Sequence, residues 1–182
     1  MRLGELRHRA RLFELNADLR PVDLGELWVG IHAKESADPP MAAGLRTPAR
    51  IAIRARYSPK VTQGRYLRHA GRLFHITSAR DPLGNRAELR ITADELIGEP
   101  GVYRSQGEPP VPCRVFLTHS APYLDELGQV VDYKTRAEVA VIEVGRPVEG
   151  DLLEVGGVCY QVIAYANGTD DGVVRGLWLE RL

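Results

Sequence analysis

The chain has 182 residues, 44% of them hydrophobic and 26% charged, with 24 Lys and Arg balancing 24 Asp and Glu. That is ample apolar material for a packed core and too much for disorder throughout, and no run approaches the eighteen apolar residues of a membrane span. Two cysteines, Cys113 and Cys159, without a pairing motif between them, suit free thiols in a reducing compartment better than a disulfide framework.

The zero net charge hides a split. Residues 1–98 carry 17 Lys and Arg against 11 Asp and Glu, and residues 99–182 carry 7 against 13. The split reads either as solvated faces that happen to differ or as a subunit with a positive end and a negative end.

The N-terminus, "MRLGELRHRARLFELNADLR", has basic residues but no apolar core or small-residue cleavage site, so it is not a secretory signal. Its "RLGELRHR" is one of two short stretches where a helix is expected. "GELWVGIHAKE" around Trp28 reads as a strand. "ESADPPMAAGLRTPA", Glu35 to Ala49, is rich in Pro, Ala and Gly and reads as a loop longer than a hairpin needs. "ARIAIRARY" sets Ile51, Ile53 and Ala55 against Arg50, Arg54 and Arg56, a strand with one apolar and one largely basic face. "RLFHITS" puts Phe74 and Ile76 together, and "AELRIT" points Leu89 and Ile91 inward. "ADELI" is the second place where a helix is expected.

"GEPGVYRSQGEPPVPC", Gly98 to Cys113, holds four prolines and three glycines and reads as a poor strand or helix. The charge changes sign across it, and a domain boundary is expected there. Beyond it come "CRVFLTH" around Phe116, then "SAPYLDELGQVVDYKTR", Ser120 to Arg136, as the counterpart of the earlier loop. "AEVAVIEVG" with Val139, Val141, Ala140, Ile142 and Val144, "VCYQVIA" with Tyr160 and Val162, and "RGLWLE" with Leu177 and Leu179 follow as strands.

Two stretches repeat each other. "GRYLRHAGRLFHITSARD" begins at Gly64 and "GDLLEVGGVCYQVIAYAN" at Gly150. Each has a Gly, a short apolar run, a second Gly seven residues on, an aromatic three later and a β-branched residue two beyond that. Positive φ at a tight hairpin turn favours glycine, so each copy reads as strand, turn, strand. The last strand recurs 88 positions on, with a two-residue insertion in "ANGTDDG". A duplicated fold explains this, and two unrelated glycine hairpins are the alternative. The expectation is a mainly all-β protein of two tandem small β-barrels with little helix: residues 1–97, a linker 98–112, and a related barrel 113–182.

No phosphate-cradling loop, dinucleotide fingerprint or nucleophile elbow occurs. The five histidines, His8, His32, His69, His75 and His119, show no ligand spacing. No catalytic, metal or cofactor site is expected. Asn167-Gly168 reads as a turn signal, and Asp170-Asp171 and Asp125-Glu126 as solvated charge.

"LGELRHRARLFEL", "DLGELWVGIHAKES" and "ARIAIRARYSPKVTQGRYLRHAGRLFHITSARD" together resemble the head–tail adaptor (head-completion, or neck) family of tailed bacteriophages. The likeness spans about residues 1–97. "VEGDLLEVGGVCYQVIAYANGTDDGVVRGLWLERL" is similar, more faintly, to lambda-type head–tail joining proteins. The tandem departs from the single barrels of the family.

The resemblance implies a non-enzymatic virion neck protein assembled in the host cytoplasm. It would form a homo-oligomeric ring with a portal protein above and a tail-terminator or tail protein below, away from membranes, with double-stranded DNA passing through non-specifically. Strand-edge pairing or side packing would join the subunits. In the family the loop at Glu35–Ala49 projects toward the channel, which makes Asp38, Pro39, Pro40, Met41, Gly44 and Arg46 channel-facing candidates. Arg7, Arg9, Arg50, Arg54, Arg56 and Arg68, with Arg65 and Arg72 nearby, are candidates for meeting acidic surfaces of neighbouring proteins. A rival reading is a tandem barrel that binds nucleic acid, which stacking aromatics interleaved with Arg on an exposed face would favour. A third is an enzyme resting on the Cys113 thiol, with His119 as base.

Overall fold

The computed structural model describes residues 6–33, 44–124, 127–166, 168 and 170–182. Among these the chain is nearly all β. The strands are β1 (His8–Leu15), β2 (Pro21–Ala33), β3 (Arg46–Arg56), β4 (Tyr66–His69), β5 (Arg72–Arg80), β6 (Glu88–Leu96), β7 (Glu99–Arg104), β8 (Val111–Leu124), β9 (Val130–Ala140), β10 (Leu152–Val155), β11 (Val158–Tyr165) and β12 (Val174–Arg181). A helical turn, α1, occupies Val141–Val144. The chain divides into two compact units, Met1–Ile97 and Gly98–Leu182. No helix of the described residues is long and apolar enough to cross a membrane.

The first unit is a closed antiparallel barrel in the order β1-β2-β3-β6-β5-β4. Alternation drives its closure. On β1, Ala10 and Leu12 are buried while Arg9 and Arg11 face out; on β3, Ile51, Ile53 and Ala55 are buried while Arg50 and Arg56 are exposed. Each strand thus offers one apolar row, and curling the sheet on itself sends all six rows inward and removes the free edges. Val29, Leu67, Phe74, Ile76, Leu89, Ile91 and Ala93 complete the core.

The second unit closes as β7-β8-β9-β12-β11-β10, the same winding with every strand moved on by six. Tyr103, Val115, Ala137, Val139, Leu153, Tyr160, Val162, Leu177 and Leu179 fill it. The repeated hairpin is where the two barrels agree in detail. Gly64 donates to the Ile76 carbonyl and Ile76 to the Arg65 carbonyl; 86 positions on, Gly150 donates to Val162 and Val162 to Asp151. Both tight turns have two consecutive residues at positive φ, Ala70 and Gly71 in one and Gly156 and Gly157 in the other. That is the geometry a two-residue hairpin needs. Both returning strands carry a bulge at the same place, between Ile76 and Ser78 and between Val162 and Ala164.

The last strand keeps the same spacing, contrary to the expected insertion. Ile76 pairs with Ala93 and Val162 with Leu179, and Ala79 pairs with Ile91 as Tyr165 does with Leu177. Ile91, not Leu89, is therefore the counterpart of Leu177. The matched hydrophobic pairs one turn of the pattern away made an 88-residue spacing look right.

Other expectations are corrected. Of the helix expected over "RLGELRHR", Leu6 and Arg7 are in no helix and His8 and Arg9 belong to β1, where alternating Arg9, Ala10, Arg11 and Leu12 suit a period of two. "ADELI" lies largely in β6, where it pairs with β3 and β5. The stretch expected as linker contains β7, which pairs with both β8 and β10. Pro100 is tolerated because the β10 ladder begins only at Gly101, so its missing amide is not needed there. At Gly101 a Cβ would lie 2.8 Å from Val115 Cγ2 and 3.1 Å from the Glu154 carbonyl oxygen, so the close strand approach requires glycine. In "AEVAVIEVG" the strand stops at Ala140 and gives way to α1. Most of Ser120–Arg136 is not a loop: it extends β8 and β9.

Candidate docking surface

On β2, Leu27, Val29 and Ile31 turn toward the first core, which sends Trp28 outward, with 53% of its surface exposed. Trp28 pairs in register with Arg9 on β1, whose guanidinium carbon sits 5.6 Å from the indole centroid. Beside it, Glu26 accepts from both arginines of β1: Arg9 Nη2 lies 3.1 Å from Oε2 and Arg11 Nε 3.2 Å from Oε1. Asp23 adds a second carboxylate 3.8 Å from Arg11.

Next to Trp28 is a groove of about 530 Å³, lined by Leu6, Glu26, Leu27, Trp28, Arg56, Tyr57 and Ser58. Its lining combines apolar and aromatic side chains with one acidic and one basic residue. Half-exposed Trp, Tyr and Arg around a concave apolar site form the composition of a protein-binding hot spot, where large side chains bury much area at little entropic cost.

The six arginines expected at an interface fall on one run of adjacent strands. Arg7 lies exposed just before β1, Arg9 on β1, Arg68 on β4, and Arg50, Arg54 and Arg56 on the outer side of β3. β2, with Trp28, divides them into two groups. Many are tied to neighbours on the barrel wall. Arg54 approaches Glu88 at 3.9 Å, and Arg68 lies over the Phe13 ring at 5.4 Å. Nearby Arg65 donates to Glu14 at 2.6 Å, and Arg72 forms a two-pronged pair with Glu95 at 2.6 and 2.7 Å. The Glu95 carboxylate favours the charged guanidinium and holds the Arg72 pKa above its ordinary value, against the opposing effect of burial. The basic face read from the sequence is thus mixed: Arg54, Arg65 and Arg72 meet carboxylates of the barrel wall, while Arg50 and Arg56 are exposed. The reading passed over Trp28 as a binding element, although its outward position follows from the alternation of Leu27, Val29 and Ile31.

Asp38, Pro39, Pro40 and Met41 lie outside the described residues. Gly44 sits at a bend before β3, and Arg46 opens that strand with Nη1 3.8 Å from Asp94 Oδ2.

The thiol of Cys113 is buried in the second core, and burial, reinforced by Glu143, pushes its pKa up to about 12. A thiol that stays protonated is a poor nucleophile, and His119 further along β8 is exposed. Among the described residues no group of three or more His, Cys, Asp and Glu is placed to hold a metal.

Comparison with known families adds two matches. Residues 1–96 match the family model described as phage head completion protein, and residues 81–180 match that described as Phage Head-Tail Attachment protein. No curated protein and no solved structure matches the chain.

Proposed function

From a chain that belongs to the phage head completion and head–tail attachment families, we propose a structural connector of the virion neck: a ring that joins portal to tail and retains packaged DNA. What supports the reading is that each barrel of one winding lies almost wholly within its own match, so one polypeptide carries two modules, each similar to a family of the head–tail junction. The ring is a repeat of one head-to-tail interface. Both barrel walls are closed, so of the two modes the sequence left open, strand-edge pairing and side packing, the reading takes side packing between barrel walls. The Trp28 groove is one such packing surface. The carboxylates beside it favour protein over polyphosphate, because Glu26 lines the groove and, with Asp23, already pairs with Arg9 and Arg11. The segment Asp38–Pro48 lines or closes the DNA passage. No step of the role calls for catalysis or a cofactor, and the protein works with other head and tail proteins of the particle.

Particle complementation tests this. Removal of the chain should leave heads that neither join tails nor hold DNA, with restoration by the intact chain. Shortening of 38–48 should leave assembly intact while filled heads leak. Normal tailed, infectious particles in its absence would end the proposal.

A specific observation keeps a second reading in play: Trp28 between Arg9 and Arg56 is an exposed aromatic interleaved with arginine, as on a single-strand-binding face. Binding measurements described in the Discussion separate the two.

A further inference from the structure

The outer face of the first barrel carries three arginines in one row. Arg54 on β3 pairs in register with Arg90 on β6, and Arg90 in turn with Arg80 on β5. Residues directly opposite on neighbouring strands share a face, with Cβ atoms about 4.5–5.5 Å apart, and like charges placed so repel each other. Arg54 approaches Glu88 at 3.9 Å. Arg80 and Arg90 are exposed, and among the described residues neither meets a carboxylate. The surroundings do little to relieve the repulsion. Glu88 stands in the next row, opposite exposed Arg56. Asp81, directly after Arg80, is turned into its own loop: Oδ1 accepts from the Leu83 and Gly84 amides at 3.2 and 2.9 Å, and Oδ2 from the Arg86 amide at 2.7 Å. On the other side the row Ala52–Thr92–Ser78 is small and neutral. Such a row costs the sheet stability by itself, and a bound anion offsets that cost.

We infer that the row Arg54–Arg90–Arg80 is a contact for the phosphate backbone of duplex DNA. The inference rests on the connector reading, in which DNA passes the protein, and names the wall that meets it. Three arginines on adjacent strands span about 10 Å, the axial length over which one strand of a duplex presents about three phosphates. Each guanidinium can give a phosphate two parallel N–H donors. Neither this row nor its small neutral neighbour holds a large apolar or aromatic side chain. Nothing in them can anchor a protein hot spot or stack an unpaired base, which favours duplex backbone over an acidic protein and over single strands. The exposed arginines of β5 and β6 thus differ from Arg9 and Arg11, whose guanidinium groups are engaged by Glu26 and Asp23.

Fluorescence anisotropy of a labelled duplex of random sequence, titrated with the full chain across a salt series, tests the row. Each phosphate contact removed should take about 0.9 from the slope of log K against log salt. Arg80→Gln/Arg90→Gln should therefore lower the slope by about 2 and weaken binding at low salt by about tenfold or more. Arg9→Gln/Arg11→Gln makes the same change in net charge on the same barrel and should leave the slope close to that of the intact chain. Without DNA, Arg90→Gln should raise the urea midpoint, because it relieves repulsion on both sides of β6. An unchanged slope in Arg80→Gln/Arg90→Gln, an equal fall in both double variants, or a lower midpoint in Arg90→Gln overturns the inference. So does loss of tail joining with full affinity for DNA, which would give the row to an acidic protein partner. In each of these cases complementation of particle assembly by the intact chain would leave the connector reading standing. Duplex binding through the row by a chain that particles do not need would refute that reading alone.

Discussion

The hydroxyl of Tyr103 donates a hydrogen bond to the carboxylate of Asp151, a side chain with no exposed surface. Asp151 also accepts from the Val148 amide at 2.8 Å and the Gln106 amide at 3.3 Å. At the matching place in the first barrel stands Arg65, which reaches Glu14 on β1 instead. Both devices clamp the turn before the fourth strand to the first strand, one by a buried hydrogen bond and one by a more exposed ion pair. Tyr103→Phe removes a donor from a buried carboxylate and should cost about 1–3 kcal/mol. Arg65→Met should cost about 1 kcal/mol or less, since water screens the pair. Urea unfolding measures both, and equal losses would contradict the distinction.

Alkaline pH should weaken the second barrel. Burial first, then Asp151, holds the Tyr103 pKa above its ordinary value, and burial lifts Cys113 to about 12. Both groups are neutral when protonated, and the unfolded chain releases their protons at lower pH than the folded one. Stability is therefore complete below the unfolded values and falls as pH rises from about 9 through the folded values. Cys113→Ala should flatten the early part of that fall, and Tyr103→Phe the part above about 10. An unchanged pH profile in both variants would refute the assignment.

The duplicated turns should respond alike to the same change. Gly71 and Gly157 have φ of 80° and 79° with nothing near a new Cβ, so Gly71→Ala and Gly157→Ala each pay conformational strain alone, about 1–2 kcal/mol. Gly101→Ala fails for a different reason, the 2.8 Å approach to Val115, and should cost about 1–3 kcal/mol by overpacking. Denaturant midpoints check all three.

Trp28→Ala should separate folding from assembly. The side chain is half exposed, so the stability change should stay near 1 kcal/mol or below, against about 3–5 kcal/mol for the fully buried Phe74→Ala. Circular dichroism should show a folded protein while particle assembly falls sharply. Normal assembly by the Trp28 variant would remove the groove from the mechanism.

Binding to DNA should be weak, indifferent to sequence and lost near physiological salt. Arg9 and Arg11, the guanidinium groups on the strand beside Trp28, already meet Glu26 and Asp23, which makes them less available to phosphate and the salt slope shallower. Titration of single- and double-stranded DNA across a salt series decides it. Tight binding at physiological salt, abolished by Trp28→Ala, would favour the nucleic-acid reading.

Much of this was legible in the chain. Period-two alternation marked Ile51, Ile53 and Ala55 as core, and the paired glycine turns pointed to two related β-folds. Trp28 could have been placed outside by the same alternation. Other features were not legible for physical reasons. The helix expected over "RLGELRHR" runs into the first two residues of β1 because Arg, Leu and Glu are good helix formers, and only the partners β2 and β4 decide the matter. β7 is hidden by Pro100 and Gly101, which deny a strand by local propensity but fit where one ladder ends and another strand comes close. The β8–β9 ribbon looks like a loop because its apolar residues do not serve its own core.

The amino-acid order alone determined the class of the fold, the doubling of the hairpin and the inward or outward direction of most strand residues, since each depends on neighbours a few positions away. Only the tertiary structure decided that both sheets close with one winding, that several arginines of the first barrel, Arg9, Arg11, Arg65 and Arg72 among them, pair with its own carboxylates, and that an aromatic groove and the apolar β8–β9 ribbon are left uncovered. These are outcomes of contacts between residues far apart in the chain, and their geometry is set by how six strands close on themselves.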